Sequence, residues 1–216
     1  MHEPISLPLQ TAAGSRLVHK YYPGDREGGA LVMALPGDHY GVDGPLLYYP
    51  TLALCQEGWS TLALTYGYQS AGEPFSLGVI PDMAEEVTAA LRVVLEREAP
   101  ARVALIGKSL GAALIATLAA SLPQLESAAL VYLTPPLDVP LFGPAFMETR
   151  QRSLIVLGTA DRFFNRDMLE TMRSERPFEL LEFEGADHSL IVAGEPAQTF
   201  KVLEQAVRAV VDFLRS

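Results

Sequence analysis

Gly107-Lys108-Ser109-Leu110-Gly111 is the stretch of this sequence best suited to covalent chemistry. An apolar run, Arg102 to Ile106, reads as a buried strand just before it, and an alanine-rich helical stretch, Leu110 to Leu122, starts just after. A serine at such a junction sits on a sharp strand-to-helix turn that lifts its hydroxyl above the sheet. Glycine is needed on both flanks, because a larger side chain would strike the neighbouring strand or helix. The Leu110 N–H falls at the helix N-terminus, where it has no intrahelical acceptor and can donate to an oxyanion. A serine hydroxyl is a poor nucleophile at neutral pH, so the chemistry also requires a base.

Two other chemistries have less support. Gly107-Lys108-Ser109 matches the end of a phosphate-binding loop, but that motif requires glycine at position 102, which is Arg. The four histidines stand apart at 2, 19, 39 and 188, and Cys55 is the single cysteine. That pattern offers no metal-ligand cluster, no cysteine-based zinc site and no internal disulfide.

The elements that must position the serine follow from hydrophobic period. Pro4 to Ala12 and Arg16 to Tyr22 read as a hairpin turning at Ala13-Gly14-Ser15, and Ala30 to Leu35 as a strand buried on both faces. Leu46 to Glu57 reads as a helix stopped at Gly58, and Ser60 to Tyr66 as the next strand. Pro81 to Ala99 is an amphipathic helix with Met83, Val87, Leu91, Val94 and Leu95 on one face. Further strands are expected at Ala128 to Leu133, Ser153 to Leu157 and Phe178 to Phe183. A closing helix is expected over Glu195 to Arg215, with Phe200, Leu203, Val207, Val210 and Leu214 as its core stripe. Strands alternating with helices predict an α/β fold: one domain over residues 1–216, with about eight strands in a mostly parallel sheet.

Sixteen basic against 26 acidic residues give a net charge of -10, which repels nucleic-acid phosphates and anionic lipid. No apolar run approaches the ~18 residues a membrane helix needs, and Met1-His2-Glu3-Pro4 lacks the cationic start of a signal peptide. The expectation is a cytoplasmic monomer or homodimer, with no nucleic-acid or membrane partner.

With its elbow and its alternating strands, the chain resembles the α/β-hydrolase superfamily over essentially its whole length, in particular the small, cap-less dienelactone hydrolase and esterase group. The resemblance implies an α/β-hydrolase fold without a large cap. It also implies a serine, an acid and a histidine in that chain order, the acid after the seventh core strand and the histidine after the eighth. Ser153 to Leu157 is followed by Gly158-Thr159-Ala160-Asp161, and Phe178 to Phe183 by Gly185-Ala186-Asp187-His188-Ser189. Asp161 and His188 are therefore the implied partners of Ser109. His188 would take the serine proton, and Asp161 would hold the other ring nitrogen. Asp138, after the preceding strand, is the reserve acid. Asp187 is too near His188 in sequence to reach its ring. His2 and His19 are expected in solvent, and Lys108 is expected to pack over the sheet edge.

The resemblance further implies a second oxyanion donor in the loop after the third core strand, Leu35-Pro36-Gly37-Asp38-His39-Tyr40-Gly41. Pro36 stands where relatives often have His and offers no N–H. The Asp38 N–H joins that of Leu110, with the Asp38 carboxylate expected to cap its own loop.

The link from Thr134 to Arg152 holds four prolines and room for one brief helix near Phe146, which leaves an open site. Its expected lining is His39, Tyr40, Phe142, Phe146, Phe163 and Leu190, with Leu141 and Phe164, beneath a loop from Gly67 to Gly78. The implied activity is cleavage of a small-molecule carboxylic ester or thioester through an acyl-enzyme, with no metal or organic cofactor. A silent binding scaffold and a cofactor-free perhydrolase are the alternatives.

Overall fold

The computed structural model describes residues 4–10, 16–25 and 28–216. Eight strands form one sheet: β1 (Ile5–Gln10), β2 (Arg16–Tyr22), β3 (Ala30–Leu35), β4 (Ser60–Ala63), β5 (Arg102–Lys108), β6 (Ala129–Leu133), β7 (Ser153–Gly158) and β8 (Glu179–Phe183). Their order is β1-β2-β4-β3-β5-β6-β7-β8. β1 and β2 pair antiparallel, β2 meets β4 antiparallel, and every later pairing is parallel. The expected turn at Ala13-Gly14-Ser15 and His2 lie outside the described residues.

Parallel strands need covering on both faces, and strict alternation along each strand builds two cores. Leu31, Met33, Leu35, Leu105, Tyr132 and Ile155 face helices α3 (Ile80–Glu98), α4 (Leu110–Ala119), α5 (Gly143–Glu148) and α6 (Arg166–Glu175). Val32, Ala34, Ala104, Ile106, Val131 and Val156 face α1 (Pro45–Gln56) and α7 (Pro196–Arg215). α3 buries Met83, Val87, Leu91 and Val94, as its period requires. Among the described residues, no helix is long and apolar enough to cross a membrane.

Several boundaries differ from the sequence reading. β4 stops at Ala63, and part of the segment read as loop forms a short helix, α2 (Gly67–Ser70), and a 3-10 turn at Leu77–Val79. α6 falls where the sequence reading placed no helix; it is short and buries two residues, Leu169 and Met172. Its capping signal was present: the Asn165 side chain accepts the Met168 N–H. On α7 the buried residues are Val202, Ala206, Val210, Val211, Phe213 and Leu214; of the expected stripe Val210 and Leu214 are among them, Leu203 and Val207 are half-buried, and Phe200 is 72% exposed.

The β6–β7 connection contains α5 as its only helix. Phe142 and Phe146 are fully buried there, with ring centroids 5.2 and 5.4 Å from that of Tyr132, and the Phe178 ring lies 5.3 Å from Phe146. These two phenylalanines knit the connection onto the core and do not line a site. That corrects the sequence expectation.

Candidate active site

β5 runs through Gly107 and Lys108, and α4 starts at Leu110, so Ser109 alone makes the turn. Its backbone sits at φ 53°, ψ -111°, a conformation costly for a residue with a side chain. The surroundings impose it. A Cβ on Gly111 would fall 2.7 Å from the Pro36 carbonyl oxygen, so helix and sheet are in backbone contact around the serine. The Ser109 N–H donates to the Leu133 carbonyl on β6 at 2.9 Å.

The loops after β7 and β8 are stitched to each other. The Ala160 N–H donates to the Ala186 carbonyl at 3.0 Å, and the Gly185 N–H to the Thr159 hydroxyl at 2.9 Å. This places Asp161 and His188 together at the same sheet rim as Ser109. His188 Nε2 lies 2.9 Å from Ser109 Oγ, and His188 Nδ1 lies 2.7 Å from Asp161 Oδ2. Asp161 is buried, and its other oxygen accepts the Phe163 N–H at 2.9 Å. A carboxylate facing Nδ1 selects the tautomer protonated there, which leaves Nε2 free to accept from the serine. The Phe163 ring meets the imidazole edge-on at 4.9 Å.

The rival residues have other duties. Asp187 Oδ1 accepts the N–H groups of Ser189 and Ile191, closing the loop that carries His188. Leu190 in that loop takes φ 58° and is fully buried in the core, so it does not line the site as expected. Asp138 is exposed, and Asp161 takes the place beside the imidazole. His19 is 1% exposed, contrary to expectation. It lies on β2 beneath the sheet's flank, its Nδ1 accepts the Thr65 N–H at 3.2 Å, and burial pulls its pKa down to about 4. Lys108 is 1% exposed as well. It stands on a central strand, where no sheet edge is available, and its ammonium lies 4.9 Å from the centre of the Tyr40 ring. Burial lowers its pKa to about 8, against the opposing pull of Asp161 and Asp187.

The loop after β3 folds back on itself: the Gly37 N–H donates to the Tyr40 carbonyl at 2.9 Å, and the Tyr40 hydroxyl accepts the Leu46 N–H at 2.9 Å. Among the described residues, no protein group accepts from the N–H of Asp38 or of Leu110. The Asp38 carboxylate does not cap its own loop as expected. It accepts from the Tyr68 hydroxyl at 3.1 Å and lies 3.1 Å from His39 Nε2, because α2 brings Tyr68 across the loop. Gln69, the next residue of α2, went unnoticed in the sequence. Its amide nitrogen donates to the carbonyls of Gly37 and Asp38.

A cavity of about 310 Å³ opens over Ser109 and His188, walled chiefly by Tyr40, Phe75, Leu77, Val139, Leu141 and Phe163. Of the expected lining, Tyr40, Leu141 and Phe163 are in place, His39 stands at the rim with its side chain 91% exposed, and Phe164 packs against the core instead. Phe75 belongs to the segment read as an overlying loop. Among the described residues, no three His, Cys, Asp or Glu side chains gather as a metal site.

A mostly parallel sheet layered by helices, with a serine held on a strained turn where its central strand ends, defines the α/β-hydrolase class. The chain belongs to the alpha/beta hydrolase domain family, whose model matches residues 35–215. No curated protein matches the sequence. Solved structures match it across nearly its full length. XC6422 from Xanthomonas campestris, described as an α/β serine hydrolase without lid, is 16% identical with a TM-score of 0.74, covering 100% of this chain and 97% of its own. The dienelactone hydrolase of Anabaena variabilis is 20% identical with a TM-score of 0.70, covering 99% and 100%. Est1E of Butyrivibrio proteoclasticus is 15% identical with a TM-score of 0.72, covering 98% and 97%. These likenesses are of fold.

Proposed function

We propose that residues 1–216 form one catalytic domain, a serine hydrolase that cleaves a carboxylic ester or thioester through an acyl-enzyme. The observation that carries this reading is the continuous run of contacts from Ser109 Oγ through the imidazole of His188 to the Asp161 carboxylate, 2.9 and 2.7 Å long. Ser109 Oγ attacks the acyl carbon while His188 Nε2 takes its proton. The negative charge that develops on the carbonyl oxygen is met by the N–H groups of Leu110 and Asp38. Asp161 steadies the imidazolium, which passes its proton to the departing alkoxide or thiolate. A water then attacks the acyl-enzyme with His188 again as base, releasing the acid and restoring Ser109.

The apolar wall over the serine suits an apolar acyl group. Two comparisons support the substrate class: one neighbour is a dienelactone hydrolase, and Est1E has been solved with ferulic acid bound. Treatment with a fluorophosphonate probe tests the reading. Wild-type protein labels at Ser109, Ser109→Ala does not, and His188→Ala loses several orders of magnitude in p-nitrophenyl ester turnover while remaining folded. A folded wild type that neither labels nor turns over would instead identify a scaffold that binds without chemistry.

A further inference from the structure

We infer that Gln69 is a positioning residue that aims the Asp38 N–H at the oxyanion. The inference rests on the hydrolase reading above and adds to it the device that keeps its second donor in place.

The Gln69 amide nitrogen donates to the Gly37 carbonyl at 2.8 Å and to the Asp38 carbonyl at 3.0 Å. A carboxamide has two N–H donors on one nitrogen, so a single side chain can serve both oxygens. The Gly37 carbonyl and the Asp38 N–H belong to the same peptide unit. That unit is planar and trans, so the two groups point in opposite directions. Fixing the carbonyl toward Gln69 therefore fixes the N–H away from it. The nucleophile is close to this peptide: a Cβ on Gly37 would come 3.5 Å from the Ser109 Cβ and 3.3 Å from the Lys108 carbonyl oxygen, and Gly37, Asp38 and Ser109 line the same cavity. Among the described residues, the Asp38 N–H has no protein acceptor there, as a donor kept for substrate requires.

The loop needs this help because of its sequence. Pro36 supplies no N–H, and Gly37 has the backbone freedom that lets the following peptide flip. A flip would turn the Gly37 carbonyl oxygen toward the site and set an acceptor where a donor is required. The loop's own closure, from the Gly37 N–H to the Tyr40 carbonyl, leaves the Gly37 and Asp38 oxygens to other partners. Gln69 takes both. Tyr68 beside it takes the Asp38 carboxylate at 3.1 Å, so α2 holds the loop through two adjacent side chains. α2 is itself anchored, since the Gly67 N–H donates to the carboxylate of Glu86 on α3 at 3.0 Å.

The test compares wild type with Gln69→Met and Gln69→Glu at pH 8, using p-nitrophenyl butyrate turnover and the rate of fluorophosphonate labelling. Methionine keeps the length and volume of the side chain and removes its donors. Glutamate keeps its shape and sets a carboxylate against two carbonyl oxygens. Gln69→Met should lower kcat about 10- to 100-fold and slow labelling in parallel, with KM within about threefold of wild type. The loss is smaller than the ~10²–10³ that follows deletion of an oxyanion donor, because the N–H is loosened and not removed. Gln69→Glu should be slower still, the reverse of what a space-filling role gives. Melting temperatures establish that both variants are folded. A kcat for Gln69→Met within fivefold of wild type, or an effect confined to KM, overturns the inference and leaves the hydrolase reading standing. A wild type that neither labels nor turns over overturns both.

Discussion

Gly107 and Gly111 meet through bare backbone: a Cβ on Gly107 would lie 2.6 Å from the carbonyl carbon and oxygen of Gly111. The contact brings the first turn of α4 close enough to β5 for Ser109 to be squeezed into its strained turn. Gly107→Ala must push strand and helix apart. It should cost about 2 kcal/mol in urea unfolding, within the range for overpacking, and should sharply slow fluorophosphonate labelling.

Asp161 Oδ2 lies 2.7 Å from His188 Nδ1, so in the proposed mechanism it acts on Ser109 through the imidazole. Asp161→Asn keeps the shape but offers His188 Nδ1 an amide, which favours the wrong ring tautomer. The expected outcome is a fall in kcat of about 10⁴-fold with little change in KM. Steady-state kinetics on a p-nitrophenyl ester measures it.

His19 makes stability depend on mild acid. Its folded pKa, about 4, lies below the ordinary 6.5, because burial disfavours the imidazolium. Between these values the unfolded chain binds a proton that the folded chain does not, so stability is lost as pH falls from 6.5 toward 4. Urea unfolding should show about 2 kcal/mol less stability at pH 4.5 than at pH 7 from this group. The difference between wild type and His19→Gln isolates it.

Lys108 acts with the same sign in the alkaline range. Its folded pKa of about 8 lies below the ordinary 10.5, so the cost of burying its charge is fully present below pH 8 and fades as pH rises toward 10.5. Between pH 7 and 10, wild type should gain about 2 kcal/mol relative to Lys108→Met, which has no charge to bury.

The phenylalanines of the site region should separate cleanly. Phe146→Ala empties part of an aromatic cluster and should cost about 3–5 kcal/mol. Phe163→Ala opens the cavity wall beside His188, and it should change KM and acyl-chain preference with a much smaller loss of stability. A panel of p-nitrophenyl esters from acetate to octanoate, beside thermal melts, tells the two apart.

Much of the fold was legible because its signals are local. The apolar runs of β3, β5, β6 and β7, the period of α3 and the glycines around Ser109 all act over a few residues of chain, and each stands where the sequence placed it. α6 carries an apolar stripe at helical spacing as well, but it is short: Leu169 and Met172 are its two buried residues, set among polar neighbours.

The sequence by itself determined the alternation of strands and helices, the turn that carries Ser109, and the positions of Asp161 and His188 at the ends of successive strands. Tertiary structure decided which of several chemically similar side chains lie at the candidate site. It buried Phe142, Phe146, Leu190 and His19 and left Phe163 at the cavity. It also brought Gln69 to the Gly37 carbonyl from 32 residues away. Burial and peptide orientation arise from contacts between segments far apart in the chain, and no pattern within a segment encodes them.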